Sequence, residues 1–324
     1  MDPVGSADRR PTAVVLGASG FVGRNVCAAL RDAGHAVAAV ARSTDHLPEG
    51  CRPVALDLTR GDPAEPAATL AALRPGLVVN AAGALWNVTD DQLTEGNVTL
   101  VQRLVDAVAA LPGPVRLVHI GSAYEYGTHP GKKLTETLPG RPVGRYAQTK
   151  LAGTRAVVRA AALGRVDATV LRIPIALGPF TPGDSLLGGL ARQLAAYPAE
   201  VRLPPLDGVR RELVDIRDVA DAVLCAARAD RLPPIVNVGS GVLVRLTDTV
   251  DELIRIAGAD GPAPAVVRGP AAAVRRDAGA GDRPLDTGLA RRELGWAPAR
   301  TVTDALHALW GSLRVPVPMP RHHI

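Results

Sequence analysis

Residues 13–23 read AVVLGASGFVG, and this segment predicts a strand, a glycine turn and the start of a helix. Residues 13–17 form a short apolar run that ends in glycine, which is typical of a strand buried on both faces. From position 21 to position 33 the apolar residues recur at helical spacing, and Gly34 follows directly. The segment therefore predicts the first half of a βαβ unit.

The glycines of this turn have separate roles in binding a dinucleotide. Gly17 permits the tight turn, Gly20 lets the backbone approach a pyrophosphate, and Gly23 lets the helix pack on the sheet. The helix N-terminus adds free N–H groups and the positive end of the helix dipole. An ordinary glycine-rich turn is the alternative interpretation. The residues expected to line the cofactor site here are Gly17, Ser19, Gly20, Phe21, Val22 and Gly23.

Outward from this unit, apolar runs of strand length alternate with helical spacing. The further runs lie at 36–41, 54–56, 77–80, 115–120, 168–173 and 235–238. The helical stretches between them lie at 64–73, 91–111 and 146–163. Because the strands are apolar throughout and alternate with helices, the sequence predicts an α/β fold with a doubly wound parallel sheet, the Rossmann type.

After about residue 173, prolines interrupt this alternation, and further helices are predicted at 185–196, 246–256, 289–294 and 302–313. We therefore predict two parts. The dinucleotide-binding domain comprises 11–173, with 212–238 returning to it. A smaller, discontinuous C-terminal lobe at 174–211 and 239–315 caps the sheet. The proline-dense segment 315–324 is expected to lie along the surface.

Composition narrows the class of partner. The chain has 37 Lys and Arg against 32 Asp and Glu, a net charge of +5, and only 3% aromatic residues. The arginines are scattered, so a nucleic-acid partner is disfavoured and a small phosphorylated ligand fits better. No run of about 20 apolar residues and no apolar signal core are present, which predicts a cytoplasmic protein without a membrane span. We expect no metal site, and Cys27, Cys51 and Cys225 as free thiols.

A candidate catalytic group follows the run at 115–120. Ser122 lies at the carboxyl end of that strand, where open α/β sheets bind ligands. Tyr146 and Lys150 are four residues apart and therefore share one face of a helix. An ammonium beside a phenol lowers the phenol pKa from about 10, so Tyr146 is predicted to act as acid or base. Ser122 would bind the substrate oxygen. A Tyr-x-x-x-Lys spacing alone also occurs by chance in many helices.

The end of the second strand distinguishes between cofactors. An NAD site needs a carboxylate there for the ribose 2′-hydroxyl, but this chain has Arg42 and no acid before Asp45. Because arginine binds a 2′-phosphate bidentately, NADP(H) is favoured and NAD(H) is possible. Asp57 and Leu58 are expected near the adenine, although a plain N-cap aspartate fits the spacing equally well. The remaining predicted cofactor contacts are Ala81 and Ala82, after the fourth strand, together with Tyr146 and Lys150.

Taken together, these motifs resemble the extended short-chain dehydrogenase/reductase family, the NAD(P)-dependent sugar epimerase/dehydratase group, over about residues 12–310. Further matching segments are Leu171-Arg172 with Gly178-Pro179, 211–220, 237–241 and 293–298. The resemblance implies a nucleotide sugar in the second lobe, with Arg211 and Arg276 on its diphosphate and with Ser122 and Tyr124 at the sugar. It also implies a homodimer that pairs the helices at 91–111 and 146–163, unless their apolar faces only cover the sheet.

Departures from the family pattern narrow the reaction. Ala123 and Tyr124 occupy the places where sugar 4,6-dehydratases carry an acid, and Glu125 is one place along and is expected to point elsewhere. The chain shows no evident counterpart of the Cys/His pair of epimerase-reductases, and Ile175 replaces the usual asparagine of the Leu-Arg…Gly-Pro segment. The segment GSAYEYG, residues 121–127, resembles the corresponding segment of reductases that act on nucleotide-linked 4-keto-6-deoxysugars.

The function expected from this resemblance is NADPH-dependent reduction of a nucleotide-activated ketosugar. The particular prediction is a dTDP-4-keto-6-deoxyhexose 4-ketoreductase of deoxysugar and antibiotic biosynthesis. The first alternative is a nucleotide-sugar 4-epimerase that retains NAD. The second is a non-catalytic NADP-binding regulator on the same fold.

Overall fold

The computed structural model describes residues 12–85, 87–129, 133–196, 200–259, 265–268 and 283–314. The strands are β1 (Thr12–Leu16), β2 (Val37–Ala41), β3 (Arg52–Ala55), β4 (Pro75–Asn80), β5 (Arg116–Ser122), β6 (Asp167–Ile173), β7 (Ile175–Leu177), β8 (Glu200–Leu203), β9 (Arg210–Asp215), β10 (Ile235–Asn237), β11 (Leu243–Arg245) and β12 (Ala265–Arg268). The helices are α1 (Phe21–Asp32), α2 (Glu65–Leu73), α3 (Asp90–Thr94), α4 (Leu100–Ala109), α5 (Arg145–Ala162), α6 (Leu186–Ala195), α7 (Ile216–Arg228), α8 (Leu246–Gly258) and α9 (Val302–Arg314).

The central sheet has the strand order β10-β6-β5-β4-β1-β2-β3, and every neighbouring pair is parallel. The predicted doubly wound parallel sheet is confirmed. The order reverses between β1 and β4, which places a crevice at the carboxyl ends of these strands. Such a crevice is where open α/β sheets bind their ligands.

Both faces of this sheet are covered by helices, which explains why its strands are apolar throughout. Val118 and Ile120 of β5 join the core under α1 and α7, whereas Leu117 of the same strand joins the core under α2, α4 and α5. The apolar faces of α4 and α5 thus cover the sheet. The homodimer remains a prediction.

The second lobe contains sheets that the sequence did not predict. β11, β9 and β7 form one three-stranded sheet, and β12 pairs with β8. Residues 212–215 therefore belong to this lobe's sheet, and the return to the central sheet consists of α7 and β10, not of all of 212–238. A separate core of α6, α8 and α9 packs on β7 and β9. These strands were missed because they are short and pair across long stretches of sequence.

Two helices also differ from their predicted form. The stretch at 91–111 divides into α3, a π-helical turn at Glu95–Thr99 and α4. Within the turn, the Asn97 amide donates to the Ala84 carbonyl at 2.9 Å and accepts from the Ala84 N–H at 3.0 Å. The helix predicted at 289–294 is likewise a π-helical turn, Ala290–Leu294. The segment 315–324 lies outside the described residues.

Within the described part of the chain, none of the helices combines the length and the apolar character that a bilayer span requires.

Candidate active site

The glycine turn between β1 and α1 is built as a close backbone approach. Gly17 has a φ of +73°, and a Cβ there would lie 2.7 Å from the backbone of Ala82. A Cβ on Gly23 would lie 2.1 Å from the Gly17 carbonyl oxygen. The Gly20 N–H donates to that same oxygen at 2.9 Å. A side chain at position 17 or 23 would therefore collide with neighbouring backbone atoms.

The start of α1 is suited to an anion. Gly20 is its N-cap in an extended conformation, no side chain among the described residues caps it, and its first turn carries no acid. The first N–H groups of a helix have no partner within the helix, and the helix dipole makes that end positive. The cradle therefore fits the pyrophosphate of a dinucleotide.

The predicted adenosine contacts lie at the ends of β2 and β3. Arg42 is exposed directly after β2, and Leu58 is buried. Asp57 accepts from the Thr59 N–H at 2.8 Å and from its hydroxyl at 2.6 Å, so it forms a local turn and not the N-cap of a helix. Burial opposes ionisation of Asp57, but the Thr59 bonds and the Arg42 charge outweigh it and lower the pKa of that carboxyl. Arg42 and Asp57 thus interact electrostatically.

Ala81 and Ala82 form the opposite wall of the cradle. The Ala81 N–H donates to the Leu16 carbonyl at 3.1 Å, and the Ala82 N–H donates to the Asn80 side chain at 3.1 Å. These bonds hold the end of β4 against the glycine turn.

The structure brings the predicted catalytic residues together. Ser122 ends β5 and its hydroxyl is hydrogen-bonded to the Tyr146 phenol in the first turn of α5. The Tyr124 ring meets the Tyr146 ring edge-on, with centroids 6.3 Å apart. Lys150, one turn further along α5, donates from Nζ to the Ile120 carbonyl at 2.7 Å.

The pKa of Tyr146 is displaced in the direction opposite to the sequence prediction. Burial raises the pKa of Tyr146 to about 12, the nearby Glu125 and Tyr124 charges add to the rise, and the Ser122 hydrogen bond opposes it. The Lys150 ammonium is bonded to a backbone carbonyl, and burial lowers the Lys150 pKa while Glu125 opposes that shift. The phenol therefore keeps its proton at neutral pH.

His119 is a buried site residue that the sequence analysis missed. It is 1% exposed, and its Nδ1 lies 3.0 Å from the Asn80 amide nitrogen. Burial and then the Lys150 charge hold the pKa of His119 well below its usual value, so the ring is neutral. The signal in the sequence was a histidine placed between the apolar residues Val118 and Ile120.

Glu125 pairs with an arginine of a neighbouring strand. Its carboxylate is fully buried and accepts from the Arg172 Nε at 2.9 Å. The expectation that Glu125 points away from the reacting position agrees with this partner.

Of the two arginines predicted to bind the diphosphate, the structure describes Arg211. Arg211 lies on β9, and its Nη1 donates to the Arg210 carbonyl at 2.8 Å. Arg276 lies outside the described residues. The neighbouring Glu212 is buried and accepts from the Gly241 and Leu285 N–H groups, each at 2.7 Å. Glu212 therefore fastens together three segments of this lobe.

Fold, glycine cradle and Ser-Tyr-Lys group together define a nucleotide-cofactor enzyme, and a family comparison agrees. Residues 13–239 match the model of the NAD dependent epimerase/dehydratase family. The chain belongs to this family, and it is an NAD(P)-dependent enzyme.

Individual relatives cover nearly the whole chain. A dTDP-6-deoxy-L-talose 4-dehydrogenase (NAD(P)(+)) of Kitasatospora kifunensis is 42% identical over 307 residues, which cover 91% of this chain and 93% of the relative. A UDP-glucose 4-epimerase of Corynebacterium glutamicum is 28% identical over 89% of this chain and 91% of its own. The solved structure of MoeE5 in complex with UDP-glucose and NAD is 25% identical, with a TM-score of 0.76, and covers 94% of this chain and 98% of its own.

Proposed function

We propose that the protein is an NADPH-dependent 4-ketoreductase of a dTDP-4-keto-6-deoxyhexose. The observation that carries this proposal is the hydrogen bond between the Ser122 hydroxyl and a Tyr146 phenol whose raised pKa keeps it protonated. Ketone reduction needs a proton donor at the oxygen, and this group is one. The 42% identical relative is named for a 4-dehydrogenase, and oxidation and reduction at one carbon are two directions of one equilibrium.

Each residue has a distinct task in this reaction. When bound, the reduced nicotinamide supplies the hydride. Tyr146 donates its proton to the keto oxygen, and Ser122 donates a hydrogen bond to the same oxygen as negative charge develops there. Lys150 contributes its positive charge from one helical turn away. The cradle at Gly17 to Gly23 would hold the pyrophosphate, and Arg42 the 2′-phosphate.

The direct test is an assay of the purified protein with NADPH and dTDP-4-keto-6-deoxyglucose or its 5-epimer. Loss of the nicotinamide absorbance in proportion to ketone consumed supports the proposal. Turnover of a nucleotide sugar without net cofactor consumption contradicts it.

A 4-epimerase that retains NAD is the second candidate. The relative named UDP-glucose 4-epimerase and the MoeE5 complex with NAD favour it. The exposed Arg42 in the place of an acid argues against it, because NAD sites use a carboxylate there. Purified protein that carries tightly bound NAD would reverse this order.

The variant Arg42→Ala is expected to weaken NADPH binding by about tenfold to 100-fold and to leave NADH binding within about twofold. The reason is that the guanidinium binds only the 2′-phosphate that NADH lacks. Dissociation constants for both cofactors, measured by fluorescence titration, check this. Arg52→Ala is the matched control and should change neither constant, because Arg52 begins β3 and so lies at the other edge of the sheet from Arg42, which follows the end of the parallel strand β2. Equal losses for both cofactors in Arg42→Ala would contradict the assignment.

The pH dependence should differ between the two directions. For reduction, kcat/KM is expected to stay flat between about pH 6 and pH 9, because a pKa of about 12 keeps Tyr146 protonated. For oxidation, kcat/KM should rise over the same range, because the phenolate is the base and its fraction grows with pH. Initial rates in both directions check this. If kcat/KM for reduction instead fell as the pH rose just above neutral, Lys150 would be shown to lower the Tyr146 pKa in the working enzyme.

A further inference from the structure

Glu125 connects the two elements that carry the catalytic group. Its carboxylate is fully buried in the short 3-10 turn at Ala123–Tyr126, directly after β5. One oxygen, Oε1, accepts from the Ser122 backbone N–H at 2.8 Å and from the Thr154 hydroxyl of α5 at 3.0 Å. A single carboxylate oxygen thus ties the strand that ends in Ser122 to the helix of Tyr146 and Lys150.

The other oxygen of Glu125 is held by Arg172 on β6. The Arg172 Nε donates to Oε2 at 2.9 Å, and the Arg172 side chain is only 3% exposed. Its guanidinium carbon lies 4.4 Å from the centroid of the Tyr126 ring, whose hydroxyl donates to Asn237 at 2.7 Å. Because an unpaired buried charge is costly, Arg172 determines where the carboxylate lies.

Gly121 provides independent evidence that the Glu125 carboxylate has one specific position. A Cβ at position 121 would lie 2.9 Å from Glu125 Oε1 and 2.7 Å from Val170 Cγ1. The distance from this Cβ to the carboxylate oxygen would be shorter than the contacts that Cβ atoms make in proteins. The strand therefore has room for the Glu125 carboxylate because residue 121 is glycine.

We propose that Glu125 is a positioning residue, which fixes the Ser122 backbone against α5 so that the Ser122 hydroxyl stays at Tyr146. This inference rests on the proposed function for its kinetic test. Glu125 does not touch the substrate, so its effect is on kcat and not on KM.

The donor pattern around Glu125 makes the amide Glu125→Gln an informative change. Ser122, Thr154 and Arg172 all donate to Glu125, whereas glutamine has one accepting oxygen and one NH₂ group that only donates. The buried Arg172 charge takes the oxygen, so the NH₂ faces the Ser122 N–H and displaces it.

The charge of Glu125 supplies a second readout. The charges that act on the Tyr146 phenol are those of Glu125 and Tyr124 in the turn, and Ser122 is its hydrogen-bond partner. Lys150 follows one helical turn further along α5. Because the Glu125 charge raises the pKa of Tyr146, a neutral side chain at 125 lowers it. The titration is interpreted together with kcat and the thermal midpoint, because a loss of burial around Tyr146 would also lower its pKa.

In the full-length enzyme with NADPH and ketosugar, Glu125→Gln is expected to lower kcat by about tenfold to 100-fold, with KM within about threefold. The alkaline limb of the reduction rate moves to lower pH. The matched control is Asp218→Asn, another buried carboxylate that accepts from an arginine, Arg300, and from backbone N–H groups, but in α7. It should lower stability and change neither kcat nor the limb.

If Glu125→Gln does not fold, the double variant Glu125→Gln/Arg172→Met tests the proposal in its place. Without Arg172, the amide oxygen is free to face the Ser122 N–H, so most of kcat returns while the alkaline limb stays at lower pH. A folded Glu125→Gln with wild-type kcat and an unmoved limb would overturn the proposal, as would a double variant with a wild-type limb.

A substrate-free titration separates this inference from the proposed function. Tyrosinate absorbance of wild type minus Tyr146→Phe reports the Tyr146 titration, and it should move to lower pH in Glu125→Gln. If that shift occurs but the wild type does not reduce the ketosugar, the proposed function fails and the placement of Glu125 stands. If the wild type reduces the ketosugar and the shift is missing, the inference fails alone.

Discussion

Replacement of Tyr146 by phenylalanine is expected to lower kcat for ketone reduction by about 10³-fold, with cofactor binding retained. The phenol is the proton donor of the site, and its hydroxyl is hydrogen-bonded to Ser122. Phenylalanine keeps the ring that meets Tyr124 edge-on, so packing is conserved while the donor is lost. Steady-state rates with saturating NADPH and ketosugar measure the loss.

Two comparisons show whether this loss is chemical. Ser122→Ala should cost less, about tenfold to 100-fold, because it removes one hydrogen bond to the developing oxyanion and leaves the proton donor. The NADPH dissociation constant and the thermal midpoint of Tyr146→Phe should match those of the wild type. A Tyr146→Phe enzyme with more than about a tenth of wild-type kcat would exclude the phenol as the acid.

The second large effect is expected at the glycine cradle. Gly23→Ala should lower the free energy of unfolding by about 3 kcal/mol or more and abolish detectable NADPH binding. Its Cβ would lie 2.1 Å from the Gly17 carbonyl oxygen, which is part of a backbone turn and cannot rotate away. The first turn of α1 would therefore separate from the strand it follows. Urea unfolding and cofactor titration measure both losses.

Gly311→Ala is the matched control, since it also places an alanine within a helix. A Cβ at position 311 of α9 meets no atom within 4 Å. The change should therefore stabilise the protein by up to about 1 kcal/mol, the difference in helix propensity between the two residues. If Gly23→Ala resembled Gly311→Ala in stability, the close packing of α1 on the turn would be wrong.

The parts of the fold that could be predicted are those encoded within a few neighbouring residues. The apolar run at 13–17 and the spacing of the following glycines specify a strand, turn and helix locally, and the central sheet follows from repeats of that pattern. The pairing of Tyr146 with Lys150 is equally local, because it needs only the helical period. The class of enzyme was accessible for the same reason.

Local pattern did not reveal the contacts that join distant segments. Asn97 lies in a π-helical turn and bonds to the backbone of Ala84. The strand pairing β11-β9-β7 joins short segments that prolines and glycines separate. Helical periodicity carries no information about either partner. Segments of three residues also give too few positions for an alternating pattern to be recognised.

Residue types and their spacing were enough to place a phenol, an ammonium and a hydroxyl at one edge of a parallel sheet. Chain folding alone assigned their electrostatic surroundings: it buried Tyr146 and raised its pKa, turned Lys150 to the Ile120 carbonyl, and brought Glu125 to Arg172 on another strand. The physical reason is range. A motif is read from covalent neighbours, whereas desolvation and charge interactions depend on whatever the rest of the chain packs around a group.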